Sequence, residues 1–422
     1  MKYQTCFMIL AAAVSLTGCT LKSTEKRTVM AIPVYGQSLA LGEEAVRITD
    51  FDSLCSRSNH RVLTENLDEE FGYLSDTHFK QWMKKVINDR HRAFELPVYG
   101  MSEQVIDYFD EKGYGDSVVL CIFPGGRGAT SIVGLGKGTA AYEKFLAEIR
   151  TANDKARDKG WNFVVPAFLW LQGEDDILWK KSANYKKDLK ALQSAFNQDI
   201  KAITKQVKDV VCISYQTNCL TLAEHFDPHS FNGKETSVPQ GQLELIQQDP
   251  LFMGMGPTYP YSFVDERVHI DGLSHKRLGH LAGLSVVRLL QAAPSKGLVP
   301  ERFSKSGDTV IIKFSVPKPP LVFDTMAVAK AAHFGFSIID SANTDIIKNV
   351  YLDHNLVKIN CTRSPAGCKV RYAVNGIKGK SGYRYGPRGN LRDSQGEKLT
   401  ATIQKQRYPL HNWSYQFDVM IK

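Results

Sequence analysis

Residues 29–42 read Val-Met-Ala-Ile-Pro-Val-Tyr-Gly-Gln-Ser-Leu-Ala-Leu-Gly and predict a buried strand that ends in a tight turn. The mostly apolar run 29–34 has the composition of a buried strand. Gly36 and Gln37 follow it and bring the hydroxyl of Ser38 to the tip of the turn. A serine in this position can attack a substrate carbonyl, and the N–H groups after it can stabilise the developing oxyanion. Such a serine can also simply cap a helix, so its partners must come from other segments.

Apolar, β-branched segments alternate with amphipathic helical patterns over the first 292 residues. The predicted strands are 29–35, 117–123, 163–171 and 210–215, and the predicted helices are 78–92, 103–112, 140–159, 183–205, 239–248 and 275–291. This alternation predicts an α/β fold with a parallel sheet covered by helices on both faces. In such sheets the active site lies beyond the C-terminal ends of the strands, which is where Ser38 falls.

The pattern changes after Ala-Pro-Ser-Lys-Gly at residues 293–297. Short runs with strand composition follow at 309–316, 321–324, 347–352, 356–360, 369–373 and 413–421. Many short strands separated by turns predict a smaller all-β sandwich. We therefore expect an α/β domain over residues 28–294 and a β-sandwich domain over residues 297–422.

The N-terminus has the pattern of an export signal. Lys2 precedes an apolar run over residues 6–16, and Leu-Thr-Gly-Cys then ends at Cys19. The run is too short to cross a bilayer of ~30 Å. Leu-Thr-Gly-Cys resembles the bacterial lipobox, which implies cleavage before Cys19 and lipidation of its thiol with fatty acyl chains such as palmitate. We expect a signal peptide over residues 1–18, a polar tether over 19–27, and a lipid anchor in the cell envelope, at the outer membrane or cell surface. An ordinary signal peptide with an incidental cysteine is the alternative.

The charge of the chain limits its partners. The 422 residues carry a formal charge of +9, and removal of residues 1–18 takes away only Lys2 and leaves +8. A basic protein outside the cytoplasm indicates an acidic partner such as an anionic glycan or a membrane surface. Because the positive charge is spread out and no recognised binding motif occurs, nucleic acid is not expected as a partner.

The cysteines give no sign of a metal site. None of the eight has the spacing of a zinc site, so no metal is expected. Export would permit disulfides, and Cys361 and Cys368 flank a turn-forming insert that could close a local bridge.

Two polar segments follow later predicted strands. Residues 123–132 read Phe-Pro-Gly-Gly-Arg-Gly-Ala-Thr-Ser-Ile, and a glycine there lets a backbone N–H approach a substrate closely. Residues 170–176 read Trp-Leu-Gln-Gly-Glu-Asp-Asp. Gln172 offers a side-chain N–H to an oxyanion, and Glu174 is placed to orient it or to bind a sugar hydroxyl. Each segment alone also fits a flexible loop or the start of a helix.

A fourth segment supplies the candidate base. Residues 263–275 read Phe-Val-Asp-Glu-Arg-Val-His-Ile-Asp-Gly-Leu-Ser-His. A histidine preceded at short range by a carboxylate provides a base and the group that orients it on one loop.

Four of these blocks, in this order, resemble the SGNH (GDSL-like) hydrolases, and most closely the sialate O-acetylesterase-like and acetylxylan-esterase-like group. The blocks are Gly-Gln-Ser at 36–38, Gly-Ala-Thr-Ser-Ile at 128–132, Trp-Leu-Gln-Gly-Glu at 170–174 and Val-His at 268–269. The resemblance covers roughly residues 28–292. It implies a flavodoxin-like three-layer α/β/α sandwich, in agreement with the strand and helix pattern.

The resemblance also implies roles for individual residues. Ser38 would be the nucleophile and His269 the base, and the oxyanion hole would use the Ser38 N–H, the Gly128 N–H and the Gln172 side chain. Two departures from the family pattern matter. Leu39 stands where asparagine is usual, which removes a polar contact, and Ala129 replaces a glycine, which leaves Gly128 as the expected donor.

The carboxylate partner of the histidine stays open. The family pattern is Asp-x-x-His, whereas Asp265 lies four residues before His269 and Glu266 lies three before it. We favour His269 with Asp265, and Glu266 is the alternative acid. A different frame pairs Asp271 with His275. The family often has a glycine ten residues after its histidine, and Gly279 meets that spacing from His269.

These inferences predict a carbohydrate O-acetylesterase. We expect it to release acetate from sialic acid or another acetylated glycan through an acyl-enzyme, without a cofactor. Gln37 and Glu174 are expected to bind the substrate, and Arg388, in the Gly-rich loop 383–393, is expected to contact a sugar acid. A non-catalytic glycan-binding lipoprotein that retains the SGNH fold is the alternative, which Leu39 and the irregular acid spacing allow. A lipase would need a long apolar pocket, whereas these loops are polar.

Overall fold

The computed structural model describes residues 26–64, 72–73, 94–230 and 236–421. The predicted signal peptide, Cys19 and the predicted helix 78–92 lie outside the described residues.

The N-terminal domain is built on a parallel sheet. Its strands are β1 (Thr28–Ala31), β2 (Val34–Gly36), β3 (Val62–Thr64), β4 (Gly72–Tyr73), β5 (Val118–Ile122), β6 (Pro124–Gly126), β7 (Asn162–Val164), β8 (Ala167–Leu171), β9 (Val211–Gln216) and β10 (Phe252–Pro257). They pair in two ladders, β4-β3-β5-β1-β7 and β10-β9-β8-β2-β6. Within the described residues every pair is parallel except β3 with β4.

Prolines explain why the strands are interrupted. The chain passes from the first ladder to the second near Pro33, Pro124 and Pro166, each of which lacks the N–H that a ladder needs. Flanking hydrogen bonds keep the two ladders together, because Val34 N donates to Phe123 O at 3.0 Å and Leu169 N donates to Pro33 O at 2.9 Å. The predicted strands 29–35 and 163–171 are therefore each split in two.

Helices cover both faces of the sheet. They are α1 (Phe51–Arg57), α2 (Pro97–Glu111), α3 (Ala140–Asp158), α4 (Glu174–Trp179), α5 (Tyr185–Thr204), α6 (Ser237–Gln248) and α7 (Gly272–Leu290). The apolar faces of α3 and α5 share one core with Phe168 and Trp170 of β8, whereas α2 and α7 share another with Leu169 and Leu171. Successive side chains of β8 thus lie alternately in the two cores, as expected for a sheet that is buried on both faces. The predicted α/β fold is confirmed, and no described helix is long and apolar enough to cross a membrane.

Some boundaries differ from the prediction. Helix α2 begins at Pro97, six residues before the predicted start, because proline is favoured in the first helical turn. Strand β10 was not predicted, since Gly254 and Gly256 give it a weak strand signal. Strand β3 has only three residues, too few for a periodic pattern.

The C-terminal domain is all-β apart from short helical turns, as predicted. One antiparallel sheet has the order β11 (Val299–Ser306), β12 (Thr309–Ser315), β16 (Leu356–Cys361) and β15 (Ile347–Asp353), and a second contains β14 (Phe336–Ile339), β17 (Lys369–Tyr372) and β21 (Phe417–Met420). Two ribbons pair β13 (Val322–Phe323) with β18 (Leu391–Arg392) and β19 (Thr400–Ile403) with β20 (Gln406–Pro409). Buried side chains of both sheets form one apolar core. A short helix, α8 (Gly382–Tyr385), lies in a loop of this domain.

The two domains meet beside the C-terminal end of β9. Gln216 donates to Gln416 O at 2.9 Å and accepts from Gln416 N at 2.7 Å, and Asn218 donates to Ala373 O at 3.1 Å. These side chains are buried. The β domain is therefore fixed against the edge of the sheet that carries Ser38.

Cys361 and Cys368 are buried free cysteines. The structure therefore does not form the suggested bridge between Cys361 and Cys368.

Helix α7 is tied to the turn after β2 by a buried histidine. His275 is fully buried, and its Nε2 lies 3.1 Å from Leu39 O, so that nitrogen donates. Its Nδ1 has no partner among the described residues. Burial, assisted by nearby His269, lowers the pKa of His275 from 6.5 to about 3. The imidazole is neutral at neutral pH.

We expect His275 to make the fold acid-sensitive. Its pKa is lower in the folded chain, so the unfolded chain binds a proton first, and the stability present above pH 6.5 is lost as the pH falls toward about 3. His275→Gln removes the titration, so the wild type should lose on the order of 2 kcal/mol more stability than the variant between pH 7 and pH 4. Thermal unfolding followed by circular dichroism at several pH values measures this. His354→Gln, whose side chain is 97% exposed, is the control. Parallel pH curves for wild type and His275→Gln would contradict the prediction.

Candidate active site

The turn that carries Ser38 depends on close backbone contacts. Gly36 ends β2 between Gly126 of β6 and Leu171 of β8. A Cβ on Gly36 would lie 2.0 Å from Leu171 O, and one on Gly126 would lie 1.9 Å from Gly36 O. A side chain at either position would push the strands apart. These glycines thus allow the three strand ends to converge under the Ser38 hydroxyl.

Ser38, His269 and Glu44 form a continuous hydrogen-bonded chain. His269 Nε2 lies 2.8 Å from Ser38 Oγ, and His269 Nδ1 lies 2.7 Å from Glu44 Oε2. The imidazole is 19% exposed and the carboxylate is 56% exposed. A carboxylate on Nδ1 holds the proton there and leaves Nε2 free to accept the serine proton, which is the arrangement of an activated nucleophile.

Glu44 was not among the predicted carboxylates. It follows the candidate nucleophile by only six residues, in Leu-Gly-Glu-Glu-Ala at residues 41–45. The prediction assumed that the acid precedes the histidine on its own loop. The only sequence signal for Glu44 is a pair of carboxylates close to the Ser38 turn, and surface pairs of this kind are common.

A buried carboxylate holds the segment that carries Glu44. Glu95 is fully buried and accepts from Ile48 N at 2.9 Å and from Thr49 N at 2.8 Å, and its own N–H donates to Ala45 O at 2.9 Å. Lys276 of α7 donates to Thr49 Oγ1 at 2.7 Å. Burial raises the pKa of Glu95, although Lys276 opposes the shift. These bonds hold the segment that follows Glu44 against α7. They thereby fix the position of Glu44.

The carboxylates that were predicted on the histidine loop lie elsewhere. The Glu266 carboxylate accepts from Lys380 Nζ at 2.6 Å. Asp265 is exposed and lines a surface cleft together with Lys380. The reason is the shape of the loop: Val264 N donates to His269 O at 2.7 Å, and Asp265 and Glu266 have left-handed backbones with φ near 50° and 57°. The loop therefore turns both carboxylates away from the imidazole.

The alternative pair bonds to groups other than the Ser38 hydroxyl. Asp271 is the N-cap of α7, where its carboxylate accepts from Ser274 N at 2.8 Å. His275 donates to Leu39 O instead of to Ser38. Asp271 and His275 are thus structural residues of the helix.

The expected oxyanion donors differ in availability. Within the described part of the chain, the N–H groups of Ser38 and Gly128 have no acceptor. Gln172 is fully buried, and its Nε2 donates to Asp176 Oδ2 at 2.5 Å and to Thr130 O at 3.3 Å. Both protons of this amide are therefore engaged. Gln172 fastens the 128–132 loop to the end of β8, and the two backbone groups remain as donors.

Two residues that were predicted to bind the substrate instead make hydrogen bonds within the protein. Gln37 is 2% exposed, and its Oε1 accepts from Asp175 N at 3.3 Å. Glu174 is also 2% exposed, and its Oε1 accepts from the hydroxyls of Tyr215 at 2.5 Å and Thr217 at 2.6 Å. Burial raises the pKa of Glu174, with these hydrogen bonds and nearby His269 opposing the shift. Neither side chain is open to a substrate in this structure.

Arg388 is likewise engaged within its own domain. Its Nε donates to Ala329 O at 2.9 Å and its Nη1 to Gly386 O at 3.1 Å. Arg392 is held by Asp324 at 2.6 Å. The arginines of loop 383–393 therefore do not form a cluster for a sugar carboxylate, and Arg384 is the one of the three that is exposed.

Part of the chain matches a known family. Residues 100–226 match the model described as carbohydrate esterase, sialic acid-specific acetylesterase. The matched segment contains Gly128, Gln172 and Glu174, whereas Ser38 and His269 lie outside it. No curated protein matches the chain.

Solved structures align with this chain. XAC1771, a carbohydrate acetylesterase from Xanthomonas citri, aligns with a TM-score of 0.56 and 13% identity over 93% of this chain and 80% of its own. A protein from Arabidopsis thaliana aligns with a TM-score of 0.43 and 16% identity over 63% of this chain and 98% of its own. NanS aligns with a TM-score of 0.40 and 13% identity over the same shares. This protein thus has the fold of the Xanthomonas acetylesterase and contains a segment similar to the sialic acid-specific acetylesterase family.

Proposed function

We propose that this protein is a serine esterase that removes O-acetyl groups from carbohydrates. The observation that carries the proposal is the hydrogen-bonded chain from Ser38 through His269 to Glu44, with separations of 2.8 and 2.7 Å. Its place beyond the C-terminal ends of the strands is where α/β sheets hold their active sites.

The first half of the reaction forms an acyl-enzyme. Ser38 Oγ bonds to the acetyl carbonyl carbon as its proton passes to His269 Nε2, and Glu44 stabilises the imidazolium. The oxyanion accepts hydrogen bonds from the N–H groups of Ser38 and Gly128, and each such donor is worth ~3 kcal/mol in acyl transfer. The sugar oxygen then leaves with the proton that His269 held.

The second half releases acetate. A water molecule gives a proton to His269 Nε2 as its oxygen bonds to the acetyl carbon. The second tetrahedral intermediate breaks the bond to Ser38, and His269 returns the proton to Ser38 Oγ. The chain is then ready for another substrate.

The carbohydrate part of the proposal is supported by the family match over residues 100–226 and by the fold shared with an acetylesterase. The family description favours O-acetylated sialic acids, and the sequence also allows other acetylated glycans. The engaged arginines of the β domain give no added support for an acidic sugar.

Ser38→Ala should abolish hydrolysis of 4-nitrophenyl acetate, and His269→Ala should lower kcat about as far, because the two side chains act as one unit. Both variants should keep a melting temperature close to that of the wild type, since neither side chain belongs to the apolar cores of the domain. His354→Ala is the control and should retain full activity, because its side chain is 97% exposed in the β domain.

Two outcomes would overturn the esterase assignment. One is a Ser38→Ala protein that still hydrolyses 4-nitrophenyl acetate at the wild-type rate. The other is a wild-type protein that neither hydrolyses acetyl esters nor reacts at Ser38 with a fluorophosphonate probe, which would favour a glycan-binding protein.

Glu44→Gln should lower kcat by roughly 100-fold. Buried carboxylates of this kind contribute about 10⁴-fold, but Glu44 is 56% exposed and water partly replaces it. The matched control is Glu43→Gln, which changes the neighbouring glutamate and should reduce kcat less than threefold. Steady-state kinetics with 4-nitrophenyl acetate compare the variants, and equal losses for both would remove Glu44 from the mechanism.

We further propose that Cys19 carries a lipid that anchors the protein in a bacterial cell envelope; the support is Leu-Thr-Gly-Cys after the short apolar run. Metabolic labelling with an alkyne fatty acid should label the wild type, and Cys19→Ser should yield unlabelled precursor. Cys6→Ser is the control and should still be labelled. Labelled Cys19→Ser protein would place any anchor elsewhere.

A further inference from the structure

A polar cleft lies where the histidine loop meets the β domain. It has a volume of about 600 Å³, and its lining includes Asp265 and Glu266 on one side and Lys380, Ser381 and Arg384 on the other. The mechanism proposed above uses none of these side chains.

The wall of the cleft is the same loop that carries His269. Val264 N donates to His269 O at 2.7 Å, and Phe263 pairs with Ile270 as an isolated bridge. Asp265 and Glu266 project from the tip of this narrow loop. Glu266 precedes His269 by three residues, so their Cα atoms are at most about 11 Å apart, and a molecule bound at that tip lies within that reach of the candidate catalytic histidine.

The opposite wall is fixed to the hydrolase domain. Ser381 N donates to Glu266 O at 2.7 Å, Tyr383 N donates to Tyr261 O at 3.1 Å, and Gly379 N donates to Thr221 O at 2.7 Å. Lys380 adds the ion pair with Glu266. The cleft is therefore already formed, so little free energy is lost in ordering its walls when a ligand binds.

One hydrogen-bonding group in the lining is unused. Ser381 is 2% exposed, and its Oγ has no hydrogen-bond partner among the described residues. Buried hydroxyls are normally paired, so an unpaired one in the wall of a cleft indicates a partner from outside the chain. Asp265 and Arg384 are exposed and supply an acceptor and donors at the same place.

The lining matches an uncharged polyhydroxyl ligand. Its two carboxylates and its two cations, Lys380 and Arg384, balance, so it does not select a charged group. Vicinal sugar hydroxyls donate to a carboxylate and accept from a guanidinium at the same time. We propose that this cleft is a subsite for a neutral sugar residue joined to the acetylated one. The inference rests on the proposed function and adds the glycan unit that the β domain would recognise.

The test compares substrates with and without the neighbouring sugar. The pairs are O-acetylated sialyllactose with free O-acetylated sialic acid, and acetylated xylotriose with acetylated methyl xyloside. In whichever pair is hydrolysed, kcat/KM should be at least about tenfold higher for the longer glycan. Asp265→Ala combined with Arg384→Ala should bring that ratio close to one. Arg302→Ala, an exposed arginine on β11, is the matched control and should keep the wild-type ratio.

A binding readout separates this inference from the esterase assignment. Saturation-transfer NMR with lactose and xylotriose, which carry no ester, should show contact with the wild type and with Ser38→Ala. The contact should be lost in the Asp265→Ala, Arg384→Ala double variant, whose folding is checked by circular dichroism. If the protein hydrolyses no acetyl ester but still contacts the sugars, the esterase assignment is wrong and the subsite proposal stands. The subsite proposal is wrong if the double variant leaves the kcat/KM ratio of long to short glycan unchanged. It is also wrong if neither sugar contacts the wild type.

Discussion

The absence of a side chain at Gly36 is the constraint on which the site depends. The backbone of β2 is wedged between β6 and β8 so closely that a Cβ on Gly36 would lie 2.0 Å from Leu171 O. Because of that approach, Gln37 N bonds to Leu171 O and Arg127 N bonds to Gly36 O, each at 3.0 Å. These bonds set the direction in which the Ser38 turn leaves the sheet. They also bring the 127–128 backbone beside it, where an oxyanion donor is needed.

The catalytic chain that we propose joins elements from both ends of the hydrolase domain. Ser38 and Glu44 lie on one turn, and His269 comes from a loop 231 residues after the serine and spans both. The turn keeps its shape because Glu95 and Lys276 hold the following segment against α7. A buried polar network therefore supports an exposed carboxylate.

One short segment of the β domain lies against the loop that carries His269. Residues 379–383 form backbone bonds with the hydrolase domain, and the two domains share the polar cleft beside the His269 loop. A small-molecule ester would need only Ser38 and its partners. A glycan chain that reaches the cleft would contact both domains, which gives a physical reason for the second domain to be fixed rather than tethered.

The sequence by itself determined the fold class and the nucleophile–base pair to examine. The spacing of apolar residues along a strand or helix indicates which side chains are buried. Every residue of β8 is apolar, so the sequence alone indicates that both faces of the sheet are covered. The pairing of Ser38 with His269 could be anticipated because the Gly-Gln-Ser and Val-His blocks resemble those of the SGNH hydrolases. Only the tertiary structure decided that Glu44 is the carboxylate at His269, because the positive φ angles of Asp265 and Glu266 and the anchoring by Glu95 are set by long-range contacts. It also decided that Gln172 and Arg388 are engaged internally, since a polar residue type in a sequence does not reveal which partner satisfies its hydrogen bonds.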